Sequence, residues 1–258
     1  MSDRLLSFEA IENFRDFGGY AGAEGQVRRG RLFRSGQHAR ASDADLARLA
    51  ALGLATVVDL RRASERKREP SRRPDPWHAQ VFESDLGGDG LAPHMRFLME
   101  GDLTPDSGRR YMAGAYSRMP YEPGHVALFK SYFAALAEGQ GPALIHCTAG
   151  KDRTGLLAAL THKVLGVSDD DAMADYLSTN TAIRLEERAD KMGAWLARMT
   201  GKSVSNDAII AFFGVEPDFI ANAWKVIDET SGGLEPYLEQ VLEISPARTR
   251  AIREHLCA

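Results

Sequence analysis

The run His146-Cys147-Thr148-Ala149-Gly150-Lys151-Asp152-Arg153-Thr154-Gly155 constrains the fold more than any other stretch of this chain. Ahead of it, Pro142-Ala143-Leu144-Ile145 is a short apolar run of buried-strand type, and behind it Leu156-Leu157-Ala158-Ala159-Leu160 continues as helix. The decapeptide is therefore predicted to be a strand-loop-helix junction inside an α/β architecture. At such a junction the first helical turn leaves backbone N–H groups unpaired, and the helix dipole adds partial positive charge, so an anion is the natural occupant. Gly150 lets the loop curl so that successive N–H groups point inward, while Arg153 offers a fork for two anion oxygens. Cys147 falls at the bottom of that bowl, where positive surroundings favour a thiolate over a thiol.

A thiolate beneath an anion cradle points to covalent transfer of a phosphoryl group. Cys147 is the expected nucleophile. Backbone groups from Thr148 through Ala149, Gly150, Lys151 and Asp152, with the Arg153 guanidinium, are expected to hold the phosphate oxygens. The Thr154 hydroxyl is placed to hydrogen-bond the sulfur and improve it as a leaving group in a second step. His146 reads as a buried orienter of the loop rather than a proton donor. The structural alternative is a buried, inert cysteine in an ordinary strand-to-helix turn.

The decapeptide resembles the signature loop of the protein tyrosine phosphatase superfamily, and its Lys-Asp-Arg-Thr-Gly ending resembles the atypical bacterial, mycobacterial-type branch. Asn13-Phe14-Arg15-Asp16-Phe17-Gly18-Gly19-Tyr20, Leu32-Phe33-Arg34-Ser35-Gly36, Val58-Asp59-Leu60-Arg61, Asp175-Tyr176-Leu177 and Ile227-Asp228-Glu229-Thr230 fall in that family's order. The resemblance spans residues 11–242. It implies an α/β phosphatase fold, with a central, mostly parallel sheet flanked by helices and a helical C-terminal half. It also implies a phosphoprotein or phosphoinositide substrate, since members act on phosphotyrosine, phosphoserine or phosphothreonine, and phosphoinositides. In the family two helices form a lid over the pocket, which here would fall at 186–214. Met192, Trp195, Leu196, Met199, Ile209, Phe212 and Phe213 would supply its apolar underside; a fixed helical layer is the alternative.

Hydrolysis needs a proton donor at the leaving oxygen. The resemblance implies Asp152 for that role, with Lys151 binding phosphate or a second anionic group. Asp59, at the carboxyl end of a predicted strand, and Asp85, in a turn-like segment, compete as acids. An ion pair with an arginine is the structural reading of Asp59. Arg15 and Arg34 are expected beside the loop as supports, or in buried Arg-Asp pairs. Tyr111, Met112, Tyr116 and Met119 are expected either at the pocket mouth or in the core.

The helical pattern continues around this centre. A helix is predicted over 42–52, capped by Ser42 and stopped by Gly53, with strands at 54–60 and 77–83. Residues 86–110 show no clear period and read as a mobile insertion. A helix over 124–138 precedes the Cys147 strand, and helices near 181–200, 206–213, 217–230 and 245–256 follow a start capped by Ser168. No repeat or long linker interrupts them, so 1–258 is expected to be a single domain. With 44% apolar and 26% charged residues, such a chain has enough material for a substantial core.

A net charge of −4 argues against a general nucleic-acid binder. The segment 61–73 is nevertheless basic, carrying Arg61, Arg62, Arg66, Lys67, Arg68, Arg72 and Arg73 against Glu65 and Glu69. It reads as a solvated face, or as an attractor of phosphorylated substrates. No stretch is long and apolar enough for a membrane span, no secretory signal opens the chain, and a reducing cytoplasm suits the thiol. Cys147 and Cys257 do not make a disulfide framework. No cofactor is expected, and no metal, because no His/Asp cluster has ligand spacing. Three other functions compete with a phosphoprotein phosphatase: a phosphoinositide phosphatase, a phosphate-reading pseudophosphatase, and a rhodanese-like sulfurtransferase, whose loop lacks the Lys-Asp-Arg-Thr-Gly ending.

Overall fold

The structure, a computed structural model, describes residues 4–86 and 93–258. Its centre is a five-stranded sheet in the order β1-β4-β7-β5-β6, made of β1 (Arg15–Asp16), β4 (Leu32–Ser35), β7 (Ala143–His146), β5 (Thr56–Asp59) and β6 (Gln80–Phe82). A small hairpin of β2 (Ala21–Gly22) and β3 (Gly25–Gln26) stands apart from it. Only β1 runs antiparallel; the other four strands are parallel. Every residue of β4, β5 and β7 is buried, as expected of parallel strands covered on both faces.

Alternation along these strands divides the core. Val58 and Ile145 face the larger cluster, with Leu128, Phe129, Leu156 and Leu157 from α5 (Pro123–Glu138) and α6 (Asp152–Leu165). Val57 and Leu144 face the other way, against Leu49 of α1 (Asp43–Ala51) with Phe14 and Phe33. The α1 start is a capping box, in which the Ser42 hydroxyl accepts the Asp45 N–H and the Asp45 carboxylate accepts the Ser42 N–H. The fold is thus a mostly parallel sheet between helices, with the anticipated helical second half.

That half comprises α7 (Asp169–Ala182), α8 (Leu185–Thr200), α9 (Asn206–Phe213), α10 (Pro217–Ser231), a single turn α11 (Leu234–Pro236) and α12 (Pro246–Leu256). The strands predicted at 54–60 and 77–83 are shorter, at Thr56–Asp59 and Gln80–Phe82. The stretch 86–110, read from sequence as an aperiodic mobile insertion, differs more. Residues 87–92 lie outside the described residues, but the rest holds α3 (Pro93–Glu100) and the first turns of α4 (Pro105–Arg118). Pro105 there is not a breaker. It occupies the first helical turn after a Thr104 cap, where its missing N–H has no partner to lose.

Candidate active site

Three strand ends meet at one level: Ser35 of β4 and Asp59 of β5 both pair with His146 of β7. Immediately beyond, residues 147–151 curl over the carboxyl edge of the sheet before α6 begins at Asp152. Gly150 makes the curl possible. Its φ is +66°, and a Cβ there would stand 2.3 Å from the Ser35 carbonyl oxygen, so neither the conformation nor the space admits a side chain. Asn13 Nδ2 donates to the Ala149 and Gly150 carbonyls at 3.2 and 2.8 Å, and Arg34 Nη2 donates to the Gly150 carbonyl at 3.1 Å. Arg34 and Arg15 both reach Asp175, at 2.7 and 3.2 Å. Burial alone would raise the Asp175 pKa, but the two guanidinium groups outweigh it and hold the carboxyl well below the usual range. The N-terminal segment therefore supports the loop from below, through Asn13 as well as through the two expected arginines.

Cys147 is a free thiol with 3% exposure at the floor of a cavity of about 320 Å³. Thr148, Ala149, Lys151, Asp152 and Arg153 line the same cavity. Arg153 is held in place by a residue that sequence reasoning missed. Glu65, on α2 (Ala63–Arg68), accepts Arg153 Nη1 at 2.6 Å and Nη2 at 3.0 Å, and it accepts the Thr148 hydroxyl at 2.5 Å. The same guanidinium donates to the Leu60 carbonyl at 3.0 Å. Burial pushes the Glu65 pKa up, yet the Arg153 charge overrides it and keeps the carboxyl far below its ordinary value. Its signal in the sequence was faint, since Glu65 is one of two acids in an arginine-rich stretch.

The remaining expected residues separate into distinct roles. Asp59 is fully buried and clamped by Arg61, with Nη2 to Oδ2 at 2.6 Å and Nε to Oδ1 at 2.9 Å. Burial raises its pKa, but the nearby His146 and Arg61 bring it down to about 2. This is the ion pair of the structural reading. His146 lies 3.7 Å from Asp59 and stacks on His38 with ring centroids 4.4 Å apart. Burial, only partly offset by Asp59, pushes its pKa down. Asp85 is an exposed carboxylate paired with Arg66. Thr154 departs from expectation: its hydroxyl is buried without a hydrogen-bond partner among the described residues, so it does not reach the sulfur. Lys151 lines the cavity but is already engaged. Its buried ammonium donates to the Phe212 and Gly214 carbonyls at 2.9 and 3.0 Å and lies 3.4 Å from Asp152 Oδ1, because the end of α9 presents unpaired carbonyls to it.

Above the loop the cavity is walled by apolar groups, among them Tyr111, Met112, Met119, Met192, Phe212 and Phe213. Tyr116, expected at the mouth or in the core, is fully buried and sends its hydroxyl to Asp152 at 3.1 Å. Of the anticipated lid underside, Leu196 and Ile209 are core residues and Trp195 is 41% exposed. Much of the basic stretch 61–73 is paired, Arg61 with Asp59, Arg62 with Glu122, Arg66 with Glu83 and Asp85, Arg72 with Asp43, and Arg73 with Glu83. Among the described residues no three His, Cys, Asp or Glu side chains converge as metal ligands, and no helix is long and apolar enough to cross a membrane.

Comparison with known proteins agrees with the resemblance. The model of a family described as "Tyrosine phosphatase family" matches residues 6–258. A protein of Cupriavidus necator, provisionally named a tyrosine-protein phosphatase, is 37% identical over 252 residues, covering 95% of this chain and 86% of that protein. The triple specificity protein phosphatase PtpB of Mycobacterium tuberculosis is 33% identical over 269 residues, covering 93% of this chain and 95% of that protein.

Proposed function

The chain belongs to the tyrosine phosphatase family and is a phosphatase, and we propose that it hydrolyses aryl phosphate monoesters, phosphotyrosine foremost, through a cysteinyl-phosphate on Cys147. The observation that carries this reading is the cavity itself: a thiol at its floor, a clamped guanidinium beside it, and apolar walls able to take an aromatic ring. In the first step the Cys147 thiolate attacks phosphorus, the bond from phosphorus to the ester oxygen breaks, and the departing oxygen takes the Asp152 proton. In the second, water attacks phosphorus and gives a proton to Asp152, and the S–P bond breaks to release phosphate and regenerate the thiolate. Arg153 and the loop N–H groups stabilise the charge spread over the three equatorial oxygens in both transition states. Glu65 fixes the plane of the Arg153 fork before substrate arrives, so little reorganisation is left for the reaction.

Residues 1–258 act in this reading as one domain, with 186–214 as a cover over the cavity. Phosphoserine and phosphothreonine are secondary substrates, in line with the name of the mycobacterial relative, a triple specificity protein phosphatase. A phosphoinositide headgroup fits less well, since Lys151 is engaged with backbone carbonyls and much of the basic stretch is neutralised by acids. The test is turnover by wild type and Cys147→Ser on a phosphotyrosine peptide, a phosphothreonine peptide and a short-chain phosphoinositide, with a chelator present. The expected result is thiol-dependent turnover that is fastest on the phosphotyrosine peptide, with acid-stable phosphate on the quenched wild-type protein only. Faster turnover of the phosphoinositide would overturn the substrate reading, and undiminished activity of Cys147→Ser would overturn the mechanism.

A further inference from the structure

Asp152 begins α6 at the cavity wall, with its side chain 27% exposed. Its Oδ1 accepts the Tyr116 hydroxyl of α4 at 3.1 Å, and that hydroxyl accepts the Tyr176 hydroxyl of α7 at 2.7 Å. Both phenols are buried, with Tyr116 at 0% and Tyr176 at 1% exposure. Two buried hydroxyls thus end, in series, on one oxygen of one carboxyl group. The Lys151 ammonium lies 3.4 Å from the same oxygen. Burial pushes both phenols well above their ordinary range, so each keeps its proton and remains a donor. Packing fixes the pair. A Cβ on Gly155 of α6 would stand 3.1 Å from the edge of the Tyr176 ring, so the glycine lets that ring lie against the helix that carries Asp152.

We propose that Tyr116, backed by Tyr176, is a positioning residue for proton transfer: it pins Oδ1 of Asp152 and thereby turns Oδ2 to the leaving oxygen. This rests on the reading of Asp152 as the acid. A carboxyl group free to rotate offers either oxygen to the substrate; one held by a donor on Oδ1 carries its transferable proton on Oδ2. When that proton leaves, the new carboxylate is already hydrogen-bonded by Tyr116 and faces Lys151, and no group has to move to stabilise it. The role also explains why a tyrosine sits at a core position of α4 where phenylalanine would pack as well.

The experiment is a double-mutant cycle with Tyr116→Phe, Tyr176→Phe and Asp152→Asn, read on p-nitrophenyl phosphate and on a phosphoserine peptide whose alkoxide leaves poorly, with thermal melts as folding controls. Tyr116→Phe is expected to lower kcat on the phosphoserine peptide by about tenfold and on the activated aryl ester by less than about twofold, with KM unchanged, a fraction of the full general-acid contribution. Tyr176→Phe should act in the same direction and more weakly. In the Asp152→Asn background Tyr116→Phe should change nothing further. Equal loss on both esters from Asp152→Asn would overturn the acid role and the positioning with it. If Asp152→Asn shows the leaving-group dependence but the Tyr116→Phe loss multiplies with it, or is the same on both esters, the positioning alone is overturned.

Discussion

Beneath the thiol the loop rests on charges that are buried and matched: Arg15 and Arg34 on Asp175, Arg153 on Glu65, Arg61 on Asp59. Over the cavity, α8 and α9 are held by other means. Phe212 stacks with Phe97 at 5.3 Å and Phe97 with Tyr111 at 4.4 Å, and the point contacts are single cations on carbonyls or exposed acids: Lys151 on Phe212 and Gly214, Lys202 on Met99 and Gly101, Arg188 on Glu12. The difference is one of tolerance. A buried ion pair fixes direction and distance together and is costly to break by halves, whereas aromatic faces slide with little loss. In the proposed mechanism, the geometry that must hold an in-line attack is built from the first kind, and the wall that must admit substrates from the second.

The sharpest way to break this comparison is Asp175→Asn, which leaves two buried guanidinium groups without their carboxylate. Stability should fall by about 3–5 kcal/mol, read from the urea midpoint; a loss below about 1 kcal/mol would show that the floor does not depend on the pair. The same group sets an acid limit. Its carboxyl is held down in the folded state, so its contribution is complete above the unfolded value of about 4 and is lost as pH falls below that. Wild-type stability should therefore decline on acidification in that window, and the decline should shrink in Asp175→Asn.

Next in size, Glu65→Gln removes the charge that aligns Arg153. We expect kcat/KM on an aryl phosphate to drop on the order of 10²-fold with the circular dichroism spectrum intact, as a misaligned catalytic group does. Wild-type rates would show that the guanidinium finds its place unaided. Lys151→Met tests the roof. It removes two charged hydrogen bonds to carbonyls and should destabilise by about 2 kcal/mol while quickening proteolysis between Gly201 and Asn206. Unchanged cleavage there would mean that the ammonium does not restrain α9. Smallest is Arg188→Ala, which deletes an exposed pair with Glu12, and its effect on the melt should stay under about 1 kcal/mol and vanish in high salt.

How much of this was legible in the sequence follows from how local each feature is. The strand, loop and helix around Cys147 are contiguous, so apolar run, glycine and arginine announce one another within a few residues. The Ser42 and Ser168 caps were readable for the same reason. Glu65, Asn13 and Tyr116 reach the loop from distant segments, and their own neighbourhoods mark their contacts only faintly; Tyr116 is one more aromatic at helical spacing. The partners of Lys151 are carbonyls at the end of α9, and backbone groups have no signature in a sequence. The helix α4 was hidden by Pro105, whose meaning depends on whether it begins a helix or interrupts one.

The pairing of Ser35, His146 and Asp59 at one level has a consequence for how a population of these molecules behaves. Side chains alternate across a strand, so a slip of β7 by one residue against either neighbour would exchange Ile145 and Leu144 between the two core clusters and carry the Cys147 loop out of step with Ser35 and Asp59. Under the proposed mechanism, a preparation in which only half of the molecules are correctly registered is expected to be half as active, and titration of the Cys147 thiol would count them.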